Sequence, residues 1–579
     1  MCGFLGGTDK DWDYKSALRS ISHRGPDAEK ISLEGKIKVG FKRLAIIDLS
    51  EDANQPMYSR DKSVWLVFNG EIYGYHKVRK ELERLGQKFY TNSDTEVILN
   101  AYIEWKDNFI DHIDGMFSIA IWDDKINKIK LYRDRPGIKP LYYFYNGKKF
   151  AFSSELKALE ILLKKENLTL DETALYDFLG YKYIPDPKSL YKNCYKLPPA
   201  HFIQFDPTNN KITEAKKYWQ LNCEIDNKKK NINESCEELR YLVKKSIQEQ
   251  MISDVPLGFF LSGGVDSSIV TAVGSSIEKN ISTFSIGFES DKGSETKFSR
   301  MIAKQYNTNH QEKILSQSNA KALLPNLKKW FDEPFADESA MPTFLVSKIA
   351  RSKVKVVLTG DGGDEVFGGY RTYPRFIRYN NLPSLNKSFN NITFKARETF
   401  NYNKSINKLM DNIEMTFNQG LLLWSIIMSG MIKPSKKRYA KELGIPEDYD
   451  DCWFYNKFWC EKLPIRTRLQ FLDFHTYMPC MVLTKVDRTS MAVSLEARVP
   501  LLSKDIIEFS FSLPEKIRFY KGQSKGIFKE AYRNILPNQI LDRKKQGFGL
   551  PSYYLKDINE GRPIQEHILN NFLYTKVNE

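Results

Sequence analysis

The sequence predicts two domains, the first of mixed strands and helices and the second an α/β domain around a parallel sheet. The chain has 579 residues, which is too long for a single domain with one hydrophobic core. A polar stretch lies between Phe205 and Ser235. Beyond it, apolar runs that end in glycine alternate with helical spacing, which is typical of strands joined by helices. We therefore expect domains over residues 1–219 and 235–579.

The first domain begins with Cys2, which becomes the amino-terminal residue if Met1 is removed. Its thiol and a free α-amine would then lie on one residue, a nucleophile beside its own base. An α-amine titrates at about 7.7–8.0, so a useful fraction is neutral near neutral pH and accepts the thiol proton. The thiolate is the reactive form. Cys2 is a candidate nucleophile, although a cysteine at position 2 taken alone is usually incidental.

Several short motifs follow Cys2 in order. They are His23-Arg24-Gly25-Pro26-Asp27, Arg43-Leu44-Ala45-Ile46-Ile47-Asp48, Asn69-Gly70-Glu71-Ile72-Tyr73, Ser93-Asp94-Thr95-Glu96-Val97 and Arg133-Asp134-Arg135-Pro136-Gly137. Together they resemble the glutaminase domain of the class II glutamine amidotransferases. The resemblance implies an N-terminal-nucleophile fold, an αββα sandwich with two sheets between helices, and hydrolysis of the side-chain amide of glutamine.

The resemblance assigns hydrolysis to three residues. Cys2 would attack the amide, and the side chain of Asn69 with the backbone N–H of Gly70 would hold the tetrahedral oxyanion. By itself, Asn69-Gly70 after the apolar run 64–68 is typical of a hairpin turn, and this alternative stays open. The joint occurrence of all the motifs in order favours the catalytic interpretation.

Opposite charges would hold the two ends of glutamine. Arg43 would pair with the carboxylate as a planar fork, and Asp94, helped by Glu71, would receive the ammonium. The remaining residues of the predicted glutamine site are Leu44, Ala45, Ile46 and Ile47. Simpler interpretations are a surface charge for Arg43 and the start of a helix, capped by Ser93, for Asp94.

The second domain carries a glycine motif after an apolar run, Leu257-Gly258-Phe259-Phe260-Leu261-Ser262-Gly263-Gly264-Val265-Asp266-Ser267-Ser268. A strand that enters a glycine turn and then a helix presents unpaired backbone N–H groups that favour an anion. The Walker A pattern is absent from the sequence. Ser-Gly-Gly-x-Asp-Ser is instead typical of enzymes that split ATP between its α and β phosphates. Residues 281–288 and 354–365 read as further strands of this site, because ligands collect at the carboxyl ends of parallel strands.

This half resembles the synthetase domain of the glutamine-dependent asparagine synthetases, over about residues 235 to 555. Further segments that carry the resemblance are 332–343, 485–491, 496–500 and 544–551. It implies an ATP-pyrophosphatase fold, ATP as a substrate and Mg²⁺ held on the pyrophosphate by Asp266 and Asp364. The predicted ATP site comprises Leu261, Ser262, Gly263, Gly264, Asp266, Ser267, Ile286, Thr359 and Gly360.

Two further catalytic assignments follow from the same resemblance. Lys525 would neutralise charge that develops on the acyl-adenylate and pyrophosphate, with Lys521 and Lys529 as competing candidates. Asp361 stands where some relatives have glutamate as a base for the attacking ammonia, and its side chain is a methylene shorter.

The implied reaction adenylates a carboxylate and then amidates it, because a free carboxylate would have to expel oxide whereas a mixed anhydride expels AMP. Aspartate is the predicted acceptor, giving asparagine, AMP, pyrophosphate and glutamate. Ser503 and Met481 stand where relatives carry acidic residues. An acceptor such as a uronic acid in surface-polysaccharide biosynthesis is therefore the alternative. A third hypothesis, an inactive homologue that only binds a partner, is disfavoured by the intact motifs.

Composition limits the other function classes. The net charge is +15, but the lysines are dispersed and the longest basic cluster is Lys228-Lys229-Lys230, so no nucleic-acid partner is expected. Seven cysteines without metal spacing suit reduced thiols in the cytoplasm. The longest apolar run, 421–432, is shorter than the roughly 20 residues of a membrane span and reads as a buried helix. We expect a cytoplasmic enzyme of small-molecule substrates with no membrane association, and take a homodimer as its working assembly.

Overall fold

The computed structural model describes residues 2–225, 231–289, 295–382, 392–393, 395–396, 399, 404–431, 433–545, 547, 549–550, 554 and 564–570. Predictions that fall on Met1, on Lys228-Lys229-Lys230 and on parts of the segment 544–551 lie outside the described residues.

Two antiparallel sheets form the centre of the first half. Their strands are β1 (Gly3–Gly7), β2 (Ala28–Ser32), β3 (Lys38–Arg43), β4 (Met57–Tyr58), β5 (Val64–Tyr73), β6 (Asp114–Asp123), β7 (Lys128–Arg133), β8 (Tyr142–Tyr145), β9 (Phe150–Ser153), β10 (Cys194–Lys196), β11 (His201–Asp206), β12 (Lys211–Ile212) and β13 (Lys216–Lys217). One sheet has the order β10-β8-β9-β1-β3-β2, and the other has the order β12-β11-β7-β6-β5-β4 with β13 beside β11.

Helices cover the outer faces of both sheets. They are α1 (Tyr14–Ser20), α2 (Tyr75–Arg84), α3 (Asp94–Trp105), α4 (Phe109–His112), α5 (Leu156–Leu162) and α6 (Glu172–Tyr181), with 3₁₀ turns at Ser22–Arg24, Glu51–Ala53, Lys106–Asn108 and Lys164–Glu166. Because successive strand residues face opposite sides, Phe4 of β1 packs against the second sheet while Leu5 packs under α1 and α5. In the same way Val67 of β5 faces the first sheet and Phe68 faces α3. The result is a four-layer αββα sandwich.

A five-stranded parallel sheet forms the centre of the second half. Its strands are β14 (Leu257–Phe260), β15 (Ser282–Phe288), β16 (Asn309–Leu315), β17 (Val356–Leu358) and β18 (Glu496–Arg498), in the order β16-β15-β14-β17-β18. All four pairings are parallel. The carboxyl ends of β14, β15 and β17 therefore meet at one edge.

The helices of the second half pack partly on the two faces of this sheet and partly on other helices, including α6 of the first half. They are α7 (Ile232–Gln250), α8 (Val265–Ile277), α9 (Thr296–Gln305), α10 (Gln317–Leu323), α11 (Leu327–Trp330), α12 (Ala340–Arg351), α13 (Gly363–Phe367), α14 (Thr372–Asn380), α15 (Lys404–Phe417), α16 (Gly420–Ser429), α17 (Lys433–Glu442), α18 (Trp453–Asn456), α19 (Ile465–His475), α20 (Thr484–Met491), α21 (Lys504–Ser512), α22 (Glu515–Arg518), α23 (Gly526–Ala531) and α24 (Asn538–Leu541). A π-helix spans Met478–Leu483, and 3₁₀ turns lie at Leu324–Asn326, Pro500–Leu502 and Tyr520–Gly522. Phe259 and Leu358 pack under α8, whereas Phe284 and Val357 pack under α12.

The predicted fold class is confirmed: an αββα sandwich precedes a parallel-sheet α/β domain. Within the apolar run 421–432, residues 421–429 lie in α16, where Leu423 and Trp424 are fully buried, and Ile432 lies outside the described residues. Within the part of the chain that the structure describes, no helix has both the length and the apolar character needed to cross a membrane. The two halves also share one hydrophobic cluster, which includes Leu44 and Phe68 of the first and Leu239 and Phe259 of the second.

Candidate active sites

Cys2 precedes β1 and lies buried between the two sheets. Its backbone N–H donates to Asn69 Oδ1 at 3.0 Å, and its carbonyl accepts from Arg24 Nε at 3.1 Å. Burial raises the pKa of the Cys2 thiol, while the backbone N–H of Leu44 and the guanidinium of Arg43 act to lower it. The nucleophile candidate is thus held by its backbone, and its sulfur faces the loop after β3.

Asn69 and Gly70 lie in the middle of β5 and not in a hairpin turn. Asn69 pairs with Ser118 and Gly70 with Phe117 of β6, so the strand continues through both residues. A Cβ at Gly70 would lie 2.0 Å from the carbonyl oxygen of Met116, so only glycine fits this close approach. The simpler interpretation of this pair as a turn is wrong. The strand instead aligns Asn69 with Cys2.

Arg43 ends β3 and is buried, so it is not a surface charge. Its Nη1 donates to Ser50 O at 2.6 Å and to Asn54 Oδ1 at 3.0 Å, and its Nη2 donates to Asp48 O. The guanidinium therefore holds the loop that contains the predicted glutamine-site residues 44–47. Within this loop Ile46 accepts a backbone hydrogen bond from Asp254 of the second half at 3.0 Å.

Asp94 and Glu71 are two buried carboxylates close enough for the charge of Asp94 to act on Glu71. Asp94 starts α3, which Ser93 caps by accepting from Thr95 N–H at 3.1 Å, and its Oδ2 accepts from Ile72 N–H at 3.0 Å. The helix start was the simpler interpretation of Asp94, and it is correct as local structure. Burial raises the pKa of Asp94 to about 6.

The glycine motif forms a turn between β14 and α8. Gly263 has φ +76, and a Cβ there would lie 2.6 Å from Ser299 N, so the turn requires glycine. Gly264 N–H donates to Ser262 Oγ at 3.3 Å, and Ser262 Oγ lies 3.1 Å from Ser267 Oγ. No side chain caps the described start of α8. Its first N–H groups are therefore free to meet an anion.

A cavity of about 850 Å³ opens above this turn at the carboxyl edge of the parallel sheet. This volume lies in the range of small-molecule sites. The predicted ATP-site residues that line it are Leu261, Ser262, Gly264, Asp266, Ser267, Ile286, Thr359 and Gly360, and Asp361, Asp364 and Lys525 line it as well. Gly263 completes the turn beneath it. The structure thus brings the predicted residues of this half together.

Asp266 and Asp364 face each other across the ammonium of Lys525. Lys525 Nζ is 2.6 Å from Asp364 Oδ1 and contacts Asp266, while Lys545 contacts Asp364. Burial opposes ionisation, yet Lys525 and Lys545 hold the pKa of Asp364 below its usual range. Asp266 Oδ1 is buried and has no hydrogen-bond partner among the described residues. An unsatisfied carboxylate oxygen here fits a cation.

The other two lysine candidates differ in placement. The Lys521 side chain is 53% exposed, and its Nζ lies 3.6 Å from Glu530 Oε1. Lys529 lines the cavity, but its pKa is lowered by burial and by Lys525. Asp361 Oδ1 lies 3.6 Å from Lys485 Nζ.

Comparison with known proteins decides the family. The family described as "Glutamine amidotransferase domain" matches residues 1–219, and the family described as "Asparagine synthase" matches residues 238–576, more than half of the chain. The chain belongs to the asparagine synthase family. "Asparagine synthetase [glutamine-hydrolyzing] 1" of Bacillus subtilis (strain 168) is 31% identical, over 97% of this chain and 89% of the relative. "Putative asparagine synthetase [glutamine-hydrolyzing] 2" of Methanocaldococcus jannaschii is 39% identical over 64% of this chain and 74% of the relative.

A similarity to a solved structure, glutamine phosphoribosylpyrophosphate amidotransferase from B. subtilis, covers 54% of this chain and 65% of that one at 15% identity. Its TM-score of 0.29 supports no argument about the fold.

Several charged residues join the two halves of this asparagine synthase family member, and the sequence alone predicted no role for them. Arg24 Nη1 lies 2.8 Å from both Glu155 Oε1 and Asp487 Oδ2, and all three side chains are buried. Arg498 similarly reaches Glu71, with Nη2 3.1 Å from Oε2. Both arginines stand inside motifs that the sequence displays. Their positions in those motifs were the available signal, but sequence spacing does not reveal a partner in the other half.

The sequence alone also predicted no role for charged residues around the cavity of the predicted ATP site. Arg543 Nη1 donates to Gly263 O at 2.8 Å and holds the turn from the far end of the chain. Lys485 and Lys545 add positive charge to the cavity wall. In a lysine-rich sequence, a lysine that lines a cavity cannot be distinguished from the many solvent-exposed lysines.

Proposed function

We propose that this chain is a glutamine-dependent asparagine synthetase, which converts aspartate, ATP and glutamine to asparagine, AMP, pyrophosphate and glutamate. The observation that supports this proposal most directly is that one chain combines a buried Cys2, hydrogen-bonded to Asn69, with a glycine turn beneath a cavity of about 850 Å³. Near full-length similarity to relatives named glutamine-hydrolysing asparagine synthetases supports the same reaction.

Glutamine hydrolysis is the first half of the proposed reaction. After removal of Met1, the α-amine of Cys2 takes the thiol proton, and the thiolate attacks the amide carbon of glutamine. The Nδ2 of Asn69 and the backbone N–H of Gly70 hold the resulting oxyanion. Ammonia leaves with the proton that the amine stored, and water hydrolyses the thioester to glutamate.

Glutamine recognition uses charges at both ends of the substrate. Arg43, beside the loop 44–47, takes the carboxylate, and Asp94 with Glu71 takes the ammonium. Asp94 must be ionised for this role. Its pKa of about 6 leaves it mostly ionised at neutral pH.

Activation of the acceptor is the second half. The N–H groups of the glycine turn and of the start of α8 hold the phosphates, and Lys525 supplies positive charge where AMP and pyrophosphate separate. Asp266 and Asp364 would hold Mg²⁺, which neutralises pyrophosphate charge when bound; two carboxylates suffice because phosphate oxygens and water complete its shell. Asp361 is the proposed base for ammonia.

Ammonia has to reach the adenylate as neutral NH₃, and almost all of it would be protonated in water near pH 7. An enclosed passage between the halves is therefore part of the proposal. The remaining expectations are a cytoplasmic location, a homodimer and no nucleic-acid or membrane partner.

A panel of carboxylates tests the acceptor. With ATP, Mg²⁺ and glutamine, we expect aspartate to release pyrophosphate and form asparagine. Release with a uronic acid but not with aspartate would assign the alternative acceptor, and no release with any acid would contradict an enzymatic role. Cys2→Ala serves as the internal comparison. It should abolish product from glutamine and preserve product from ammonium at alkaline pH.

A further inference from the structure

Arg498 belongs to β18 of the second half, but its guanidinium reaches the glutamine site of the first. Nη2 lies 3.1 Å from Glu71 Oε2, and Nε donates to Glu496 Oε1 at 2.6 Å. Nη1 donates to the carbonyls of Gln250 at 2.7 Å and Ile252 at 2.6 Å. The Arg498 side chain is 0% exposed, so these contacts are screened from water.

We propose that Arg498 is a positioning residue of the glutamine site, which fixes Glu71 as an oriented carboxylate for the ammonium end of glutamine. The glutaminase half is then incomplete without the synthetase half. This inference deepens the proposed function and rests on its assignment of Glu71 to glutamine recognition.

The need for Arg498 follows from where Glu71 lies. Glu71 is buried beside Asp94 and Glu496, so its carboxylate has lost water and faces like charges. Burial raises the pKa of Glu71, and Asp94 and Glu496 raise it further, whereas Arg498 acts in the opposite direction. With Arg498 in place the pKa of Glu71 still lies well above its usual range, so loss of the guanidinium would raise that pKa further and weaken the attraction of Glu71 for an ammonium group.

The geometry calls for arginine and not for any cation. One planar guanidinium contacts two carboxylates and two carbonyls in different directions, which the single ammonium of lysine does not reproduce. The Arg498 backbone is also tied to the ATP site, because its carbonyl accepts from Thr359 N–H at 2.9 Å. This backbone bond remains in any side-chain variant.

Glutamine hydrolysis by Arg498→Met tests the proposal in the full-length enzyme. We expect the KM for glutamine to rise roughly 10- to 100-fold, because the buried Glu71 carboxylate loses the guanidinium that pairs with it, with a smaller change in kcat. Arg498→Lys should give an intermediate KM. In a Glu71→Gln background, Arg498→Met should raise the KM little further, because both changes remove the same interaction.

A buried arginine elsewhere in the second half provides the control. Arg518 is 1% exposed and donates to Gln470, Phe511 and Leu513. Arg518→Met should lower hydrolysis and ammonia-dependent synthesis together without a selective rise in KM.

Several results would overturn the proposal. The first is an unchanged KM for glutamine in Arg498→Met. The second is a double variant in which the KM changes of Arg498→Met and Glu71→Gln add. The third is a rise in KM in Arg518→Met as large as that in Arg498→Met. If Arg498→Met does not fold, Arg498→Lys tests the proposal by itself. An unchanged KM for glutamine in Arg498→Lys would contradict the positioning role of Arg498. If the wild-type protein hydrolyses glutamine but makes no asparagine, the proposed function fails while the test of Arg498 still stands.

Discussion

Lys525 lies between the two aspartates of the ATP cavity, and its replacement by methionine has two separable consequences. The change removes an ammonium that is 2.6 Å from Asp364 and in contact with Asp266. Breaking a buried ion pair costs about 3–5 kcal/mol of unfolding free energy. Because Lys545 still contacts Asp364, we expect the lower end, about 3 kcal/mol, in urea unfolding without ATP.

The catalytic consequence is comparable in free energy to the structural one and is measured separately. Loss of a preorganised charge at the reacting phosphates should lower kcat for ammonia-dependent asparagine formation by about 10²–10³. Glutamine hydrolysis in the same preparation should persist and so report that the protein is folded. Lys521→Met is the matched control because its side chain is exposed. A greater loss in Lys521→Met or Lys529→Met than in Lys525→Met would refute the assignment of Lys525.

Three further predictions concern the glutaminase half. Asn69→Ala should lower kcat for glutamine hydrolysis by about 10²–10³ through loss of an oxyanion donor. Ammonia-dependent synthesis should continue in this variant. Equal loss of both activities would contradict the role of Asn69. Because the pKa of Asp94 is about 6 and only its ionised form attracts ammonium, log(kcat/KM) for glutamine should fall more steeply below about pH 6 than above it. A slope that stays constant down to pH 5 would argue against Asp94. Gly70→Ala should destabilise the protein by about 1–3 kcal/mol in urea unfolding, because its methyl group meets Met116 O, and unchanged stability would show that β5 and β6 can separate there.

Local patterns predicted the elements that carry the chemistry. The apolar run before Ser262 became β14 and the residues after Gly264 became α8, because strand, glycine turn and helix start are set by neighbouring residues. Ser93 capped α3 as its side chain predicts. The apolar run 421–432 predicted a buried helix, and residues 421–429 of that run lie in α16.

Contacts between residues far apart in the sequence determine features of the site that local sequence patterns do not predict. Asn69-Gly70 has the composition of a turn, but pairing with β6 extends β5 through it. The contact of Arg498 with Glu71 joins opposite halves of the chain, and no spacing rule encodes it. The resemblance assigned Lys525 with Lys521 and Lys529 as competitors, and only the fold shows that Lys525 lies beside Asp364 whereas Lys521 is exposed.

Transfer of labelled nitrogen tests the central claim most directly, that glutamine nitrogen released at Cys2 is consumed at the ATP cavity of the same chain. The enzyme is given amide-¹⁵N glutamine, aspartate, ATP and Mg²⁺ in the presence of excess unlabelled ammonium near neutral pH. We predict asparagine that carries mostly ¹⁵N, formed in step with AMP and pyrophosphate. Asparagine that carries the unlabelled nitrogen of the solution, or ADP and phosphate in place of AMP and pyrophosphate, would contradict the account.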